Sequence, residues 1–104
     1  LRDETTIGRA SDCDIMLPDP TPPPRGPFIG RHHCKICKDR GQYWIMDLQS
    51  TNGTYIVLKD QYGQTQYRKL TPQSPWALQD NDLIALCHDA TLGPYILLKY
   101  EAPG

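Results

Sequence analysis

The chain reads as an all-β protein, a sandwich of two antiparallel sheets, and three features of the sequence say so. Eight glycines and ten prolines cut its 104 residues into short segments, which leaves little room for long helices. Between these breaks lie runs rich in β-branched and aromatic residues, several of them alternating in polarity as half-buried strands do. Many short strands separated by frequent turns fit two packed sheets.

The elements follow in chain order. Thr6-Ile7 is an apolar strand end that runs into Gly8-Arg9, and Cys13-Asp14-Ile15-Met16-Leu17 reads as the next strand. The stretch from Pro18 to Pro27 holds six prolines: Pro18, Pro20, Pro22, Pro23, Pro24 and Pro27. Proline has no N–H to give a ladder, so this segment is expected to be a long, stiff surface loop of polyproline II character. Strands are then expected at His33–Cys37, Gln42–Asp47 and Thr54–Leu58. Asp60-Gln61-Tyr62-Gly63-Gln64 reads as a hairpin turn, with Gln66–Leu70 returning. Trp76 to Leu92 has neither Gly nor Pro and leaves a short helix open as an alternative. The triplet Asp80-Asn81-Asp82 favours a turn there, followed by a strand from Leu83 to Cys87. Pro94–Tyr100 is the last strand.

The bulk numbers suit one domain over residues 1–104 with a single modest core. Hydrophobic residues make up 38% and charged residues 22% of the chain, ordinary values for a globular protein. A net charge of −1 gives no general case for nucleic acid or membrane surfaces. No apolar run reaches the length of about 18 residues that a membrane span needs. Locally, Arg25, Arg31, Lys35, Lys38 and Arg40 face only Asp39, a basic stretch within an otherwise balanced chain.

The four cysteines, Cys13, Cys34, Cys37 and Cys87, all fall in strand-like runs, which fits reduced thiols and an intracellular compartment better than a disulfide framework. His32, His33, Cys34, Cys37, Cys87 and His88 include a Cys-x-x-Cys half-site for zinc. Residues three apart on one strand point to opposite faces, however, so Cys34 and Cys37 are not expected to converge, and no metal or cofactor is expected. Neither a Gly-x-Ser-x-Gly nor a His-Glu-x-x-His motif is present, so no enzyme is expected.

Three turn-prone segments carry the chemistry: Thr6-Ile7-Gly8-Arg9, Gly30-Arg31-His32-His33 and Ser50-Thr51-Asn52-Gly53-Thr54. Together they offer two arginines, two histidines, an Asn amide and several hydroxyls on loops. Such a set suits a small anion of roughly two charges. Arg9 can present a planar fork to two oxygens at once. Asn52-Gly53 is a strong hairpin signal, and the Asn52 amide can also grip a peptide backbone in both directions. His33, at a strand start, reads as a structural histidine.

In order and identity these segments resemble the forkhead-associated (FHA) domain, a phosphothreonine-peptide reader. The resembling motifs are Gly-Arg, then Arg-x-His heading an apolar strand, then Asp-x-x-Ser-x-Asn-Gly-Thr, here Asp47 through Thr54. Leu78 to Leu86 is similar to the family's late acidic turn and strand, so the resemblance covers residues 5–99. It implies a sandwich with its binding loops gathered at one end, and a phosphothreonine-containing protein or peptide as the partner in signalling. The threonine methyl is expected to fill a small apolar gap. By the same resemblance Arg9 holds the phosphate, Arg31 lies beside it, and Thr51 and Asn52 contact the threonine region and the peptide backbone. Gly8, His33 and Gly53 are then architectural. Two departures stand out. Gly30 replaces a family serine whose hydroxyl bonds the phosphate, and its N–H or a nearby arginine would have to compensate. Only seven residues precede Gly8, so the family's first strand is expected to be missing here, supplied by another chain or trimmed from the fold, and an unpaired sheet edge would invite self-association. Gly30 also motivates the alternative of a scaffold that binds proteins without reading phosphate.

Overall fold

The computed structural model describes residues 3–22, 26–89 and 93–102. Among these the chain forms strands and turns and no helix. The strands are β1 (Glu4–Gly8), β2 (Ile15–Met16), β3 (Cys34–Asp39), β4 (Gln42–Asp47), β5 (Thr54–Lys59), β6 (Thr65–Lys69), β7 (Trp76–Ala77), β8 (Leu83–Asp89) and β9 (Gly93–Lys99). One sheet has the order β2-β1-β3-β4-β7 and the other β6-β5-β8-β9. All pairings are antiparallel except the short one between β1 and β2.

The turns follow the local chemistry. Arg40 and Gly41 both have positive φ, at 53° and 78°, the backbone that lets a two-residue hairpin follow the twist of its strands. Asp60 accepts the Tyr62 and Gln64 amides and so closes the β5–β6 hairpin. Asn81, at φ 71°, takes the turn that replaces a helix between β7 and β8. The strand expected over residues 13–17 shrinks to Ile15–Met16, and Cys13 lies in a turn. The Cys13 amide bonds back to the Ala10 carbonyl, and Pro18 cannot extend the ladder. Residues 17–22 and 26–30 carry no regular element, and part of the proline-rich expectation, with Arg25, lies outside the described residues.

Alternation buries one face of each sheet. Ile7, Ile36 and Ile45 from the first sheet meet Ile56, Ile84 and Leu86 from the second, all in one apolar cluster. Each such side chain contributes about 1.5–3 kcal/mol when withdrawn from water. Register then sets where the loops go. Ile7 pairs with Cys34 and Cys34 with Asp47, so the end of β1, the start of β3 and the end of β4 share one end of the sandwich. Thr54 pairs with Leu86, which brings the start of β5 beside the end of β8. The Cys87 amide and the His33 ring both donate to the Gly53 carbonyl and tie the two sheets together at that end. β9 closes its sheet and exposes Tyr95 and Leu97; its outer side pairs with no strand among the described residues.

Candidate functional site

Loops from both sheets meet at this end, and the segment Phe28-Ile29-Gly30 runs through their centre. Its two consecutive peptide groups are each held from both sides. In the first, the Ile29 N–H donates to the Asp19 carboxylate at 3.0 Å and the Phe28 carbonyl accepts from the Asn52 amide at 3.0 Å. In the second, the Gly30 N–H donates to His33 Nδ1 at 3.0 Å and the Ile29 carbonyl accepts from Arg9 Nε at 3.0 Å. Arg9 and Asn52 are therefore both anchored on consecutive carbonyls of a single loop. Arg9 uses only Nε for this, and its two terminal amino groups bond no described residue.

His33 is fully buried. It accepts at Nδ1 and donates from Nε2 to the Gly53 carbonyl at 2.8 Å. Burial holds its pKa below the ordinary histidine value, although the Gly53 bond and nearby Asp47 favour the charged form. It is thus a neutral strut between two loops. Gly30's N–H is occupied by His33 and is not free to compensate for a missing serine hydroxyl. The Gly30 backbone is not left-handed, and a Cβ placed there would meet His33 only at ordinary contact distances of 3.5 Å.

The loop after β4 is closed by Asp47, which is buried to 1% exposure. Its carboxylate accepts from the Ser50 amide at 3.1 Å, from the Ser50 hydroxyl, and from the Thr54 hydroxyl at 2.7 Å. Ser50 Oγ in turn accepts the Gly53 N–H at 3.0 Å. These bonds occupy Ser50 and Thr54, leaving Thr51, which is exposed, as the free hydroxyl of this loop. Gly53 sits at φ 87°, where a Cβ is strained. At Gly8 a Cβ would lie 2.2 Å from the Arg31 carbonyl oxygen, so no side chain fits. Arg31 is exposed, and its guanidinium bonds no described residue. The neighbouring His32 pairs with Asp12 at 3.0 Å and holds that carboxyl below the ordinary range.

Cys34 and Ile36 are buried while Cys37 lies on the other face with Trp44 and Met46. The Cys34 thiol is pushed up to about 12 by burial, as is that of Cys87. The four thiols are all free.

Two features escaped the sequence. One is Asp19, which accepts five hydrogen bonds from Thr21, Phe28, Ile29 and Tyr95. Burial opposes its charge, but the bonds from Thr21, Ile29 and Tyr95 outweigh this and hold its carboxyl well below the ordinary range. The Asp19-Pro20-Thr21 segment does carry the local signal of an Asx turn. The other is an open pocket of about 370 Å³ beside Asn52, lined by Phe28, Cys87, His88, Pro94 and Tyr95. Phe28 and Tyr95 pack ring against ring at 5.1 Å between centroids. Cys87, at φ 63°, turns its thiol onto the Phe28 carbonyl at 3.0 Å.

The fold is thus a β-sandwich whose loop end anchors an arginine and an asparagine amide on one backbone segment. The FHA domain model matches residues 5–87, and the chain belongs to that family. It is similar to the E3 ubiquitin-protein ligase CHFR of Danio rerio, 31% identical over 86 residues, which are 81% of this chain and 11% of the ligase. The oxoglutarate dehydrogenase inhibitor of Corynebacterium jeikeium (strain K411) is 34% identical over 55 residues, 53% of this chain and 33% of the inhibitor. The chain thus spans a third or less of these relatives. Among solved structures, the FhaA FHA domain complexed with the intracellular domain of Rv3910 superposes with a TM-score of 0.56 at 30% identity, covering 85% of this chain and 77% of that one. Mycobacterium tuberculosis EmbR in complex with a low-affinity phosphopeptide gives 0.61 at 25% identity, covering 98% of this chain and 21% of that one. The FHA domain of an Arabidopsis thaliana protein gives 0.67 at 26% identity, covering 97% and 69%. No helix among the described residues is long and apolar enough to cross a membrane.

Proposed function

We propose that this chain is a non-enzymatic binding module for phosphothreonine in an extended peptide, acting in protein–protein signalling. The observation that carries the reading is the pair of clamped peptide groups. They hold Arg9 by Nε and Asn52 by its amide on consecutive carbonyls of one loop, and the two terminal amino groups of Arg9 bond no described residue. A phosphate brings about −1.5 to −2 charges at pH 7, and the two terminal amino groups of Arg9 match two of its oxygens. Arg31 adds a second positive charge from the solvent side, Thr51 a hydroxyl, and Asn52 fixes the peptide backbone. Beyond Asn52 the peptide meets the Phe28–Tyr95 pocket, whose apolar walls and His88 select the side chain that enters it. The complex of EmbR with a phosphopeptide, on the same fold, supports this reading. Four free thiols fit a reducing, intracellular setting.

Gly30 favours a second reading, a scaffold that binds proteins without phosphate, because no hydroxyl stands at that position. One titration separates the two. A degenerate phosphothreonine peptide library is compared with its unphosphorylated twin. Binding confined to the phosphorylated pool is expected; equal binding of both pools establishes the scaffold.

A further inference from the structure

We propose that Asp19 is a positioning residue of the peptide site, acting on Asn52 through the Phe28–Ile29 peptide group. This rests on the reading of Asn52 as the peptide-backbone grip. The Asp19 carboxylate lies at the neck of the proline-rich loop. One oxygen accepts the Phe28 and Ile29 amides at 2.6 and 3.0 Å. The other accepts the Thr21 amide at 3.1 Å, the Thr21 hydroxyl at 2.6 Å and the Tyr95 hydroxyl at 2.9 Å. Tyr95 belongs to β9 of the opposite sheet, so the carboxylate ties the loop to both layers.

The peptide group whose N–H it accepts is the one whose carbonyl receives the Asn52 amide. A carboxylate at the N–H end orients that group and polarises its carbonyl, which makes the carbonyl a better acceptor. Asn52 is then held in one rotamer before any peptide arrives, and binding does not have to order it. The neighbouring peptide group has His33 in the corresponding place and Arg9 at its carbonyl. Asp19 stands to Asn52 as His33 stands to Arg9. A plain loop cap would need only the Thr21 bonds, which are local; the Phe28, Ile29 and Tyr95 bonds reach across the fold.

The test is a double-mutant cycle read with a phosphothreonine peptide pool, alongside NMR of the Asn52 side-chain amide. Asp19→Asn is expected to weaken binding about tenfold, the scale of a charge-assisted hydrogen bond. The Asn52 side-chain signals are expected to lose their protection and move toward free-amide positions, while amides of β3, β4 and β8 stay unchanged. In an Asn52→Ala background, Asp19→Asn is expected to weaken binding by less than about twofold, because the group it acts through is gone. A full tenfold loss in that background, or unchanged Asn52 signals in folded Asp19→Asn, overturns the proposal. Where the wild type binds neither pool, the peptide reading fails, and the Asn52 signals alone still decide the role of Asp19. Should Asp19→Asn not fold, Tyr95→Phe combined with Thr21→Ala loosens the carboxylate but keeps its charge. About threefold weaker binding with the same shift at Asn52 supports the assignment, and no change in either rejects it.

Discussion

The loop end of the sandwich has two kinds of polar group, and they differ in how much the fold has already decided for them. Arg9 and Asn52 are half-buried, and each is held by a carbonyl of the Phe28–Ile29 segment. Arg31 and Thr51 are exposed, and their side chains bond no described residue. Ordering a free side chain at an interface costs about 0.5–1.5 kcal/mol, and an exposed charge is screened by salt. Under the proposed reading the fixed pair is expected to carry most of the affinity, and the free pair to trim it. Removing Arg9 is the strongest way to break this contrast. Arg9→Ala is expected to cost at least about 3 kcal/mol of phosphopeptide affinity, as a bidentate charged contact does. Arg9→Lys is expected to rescue little of it. Near-wild-type affinity of Arg9→Ala by calorimetry would remove Arg9 from the site.

Gly30→Ser sharpens the contrast by adding a third fixed group. The backbone there accepts a side chain without strain, and the new Cβ meets His33 at ordinary distance. A hydroxyl reaching phosphate is expected to tighten phosphopeptide binding by about 1.5–3 kcal/mol, with no gain for the unphosphorylated peptide. An unchanged affinity in a protein of unchanged melting temperature speaks for the scaffold reading.

Acid loosens the fixed groups from two sides. Burial lowers the His33 pKa, so folding favours its neutral form. That contribution is full above the unfolded value of about 6.5 and is lost as pH falls below it. Asp19 is also depressed in the folded state, but as an acid. Its contribution is full above about pH 5 and fades as pH drops below roughly 4. Melting temperature against pH is expected to fall in two stages, and Asp19→Asn is expected to shrink the lower one, to which Asp12 also contributes, and leave the upper one unchanged. Phosphate itself titrates near pH 6, which is why stability rather than binding is the quantity to follow. The smallest effect is assigned to Arg31→Ala, about 0.5–1 kcal/mol of affinity, shrinking further at high salt. A salt-independent loss as large as that of Arg9→Ala would erase the distinction between fixed and free arginines.

The strands were legible in the sequence because alternation and turn residues are local. Tyr43, Ile45 and Asp47 face inward on β4 as their spacing of two requires. The strand expected over 13–17 exceeds the observed one because Ile15-Met16-Leu17 form an apolar run that Cys13 extends in the sequence, while the turn that holds Cys13 is closed by Ala10. The site was legible as a set of residues on loops. What joins them was not. Asp19 bonds amides nine and ten residues away, and the pocket beside Asn52 joins Phe28, from the loop before β3, to strands β8 and β9 of the other sheet. Such contacts are set by the packing of layers, which no local pattern encodes.

The carboxylate at the neck of the proline-rich segment has a consequence for how this chain tolerates change in length. Asp19 accepts the Phe28 amide at 2.6 Å, so the two ends of the connection between them are pinned at one point. Lengthening a loop whose ends are already pinned adds only a slowly growing entropy cost, about 0.6 kcal/mol per doubling. The connection is thus a natural port: a reporter or a second recognition sequence spliced into it is expected to leave the Asp19–Phe28 junction, and the peptide groups that hold Arg9 and Asn52, in place.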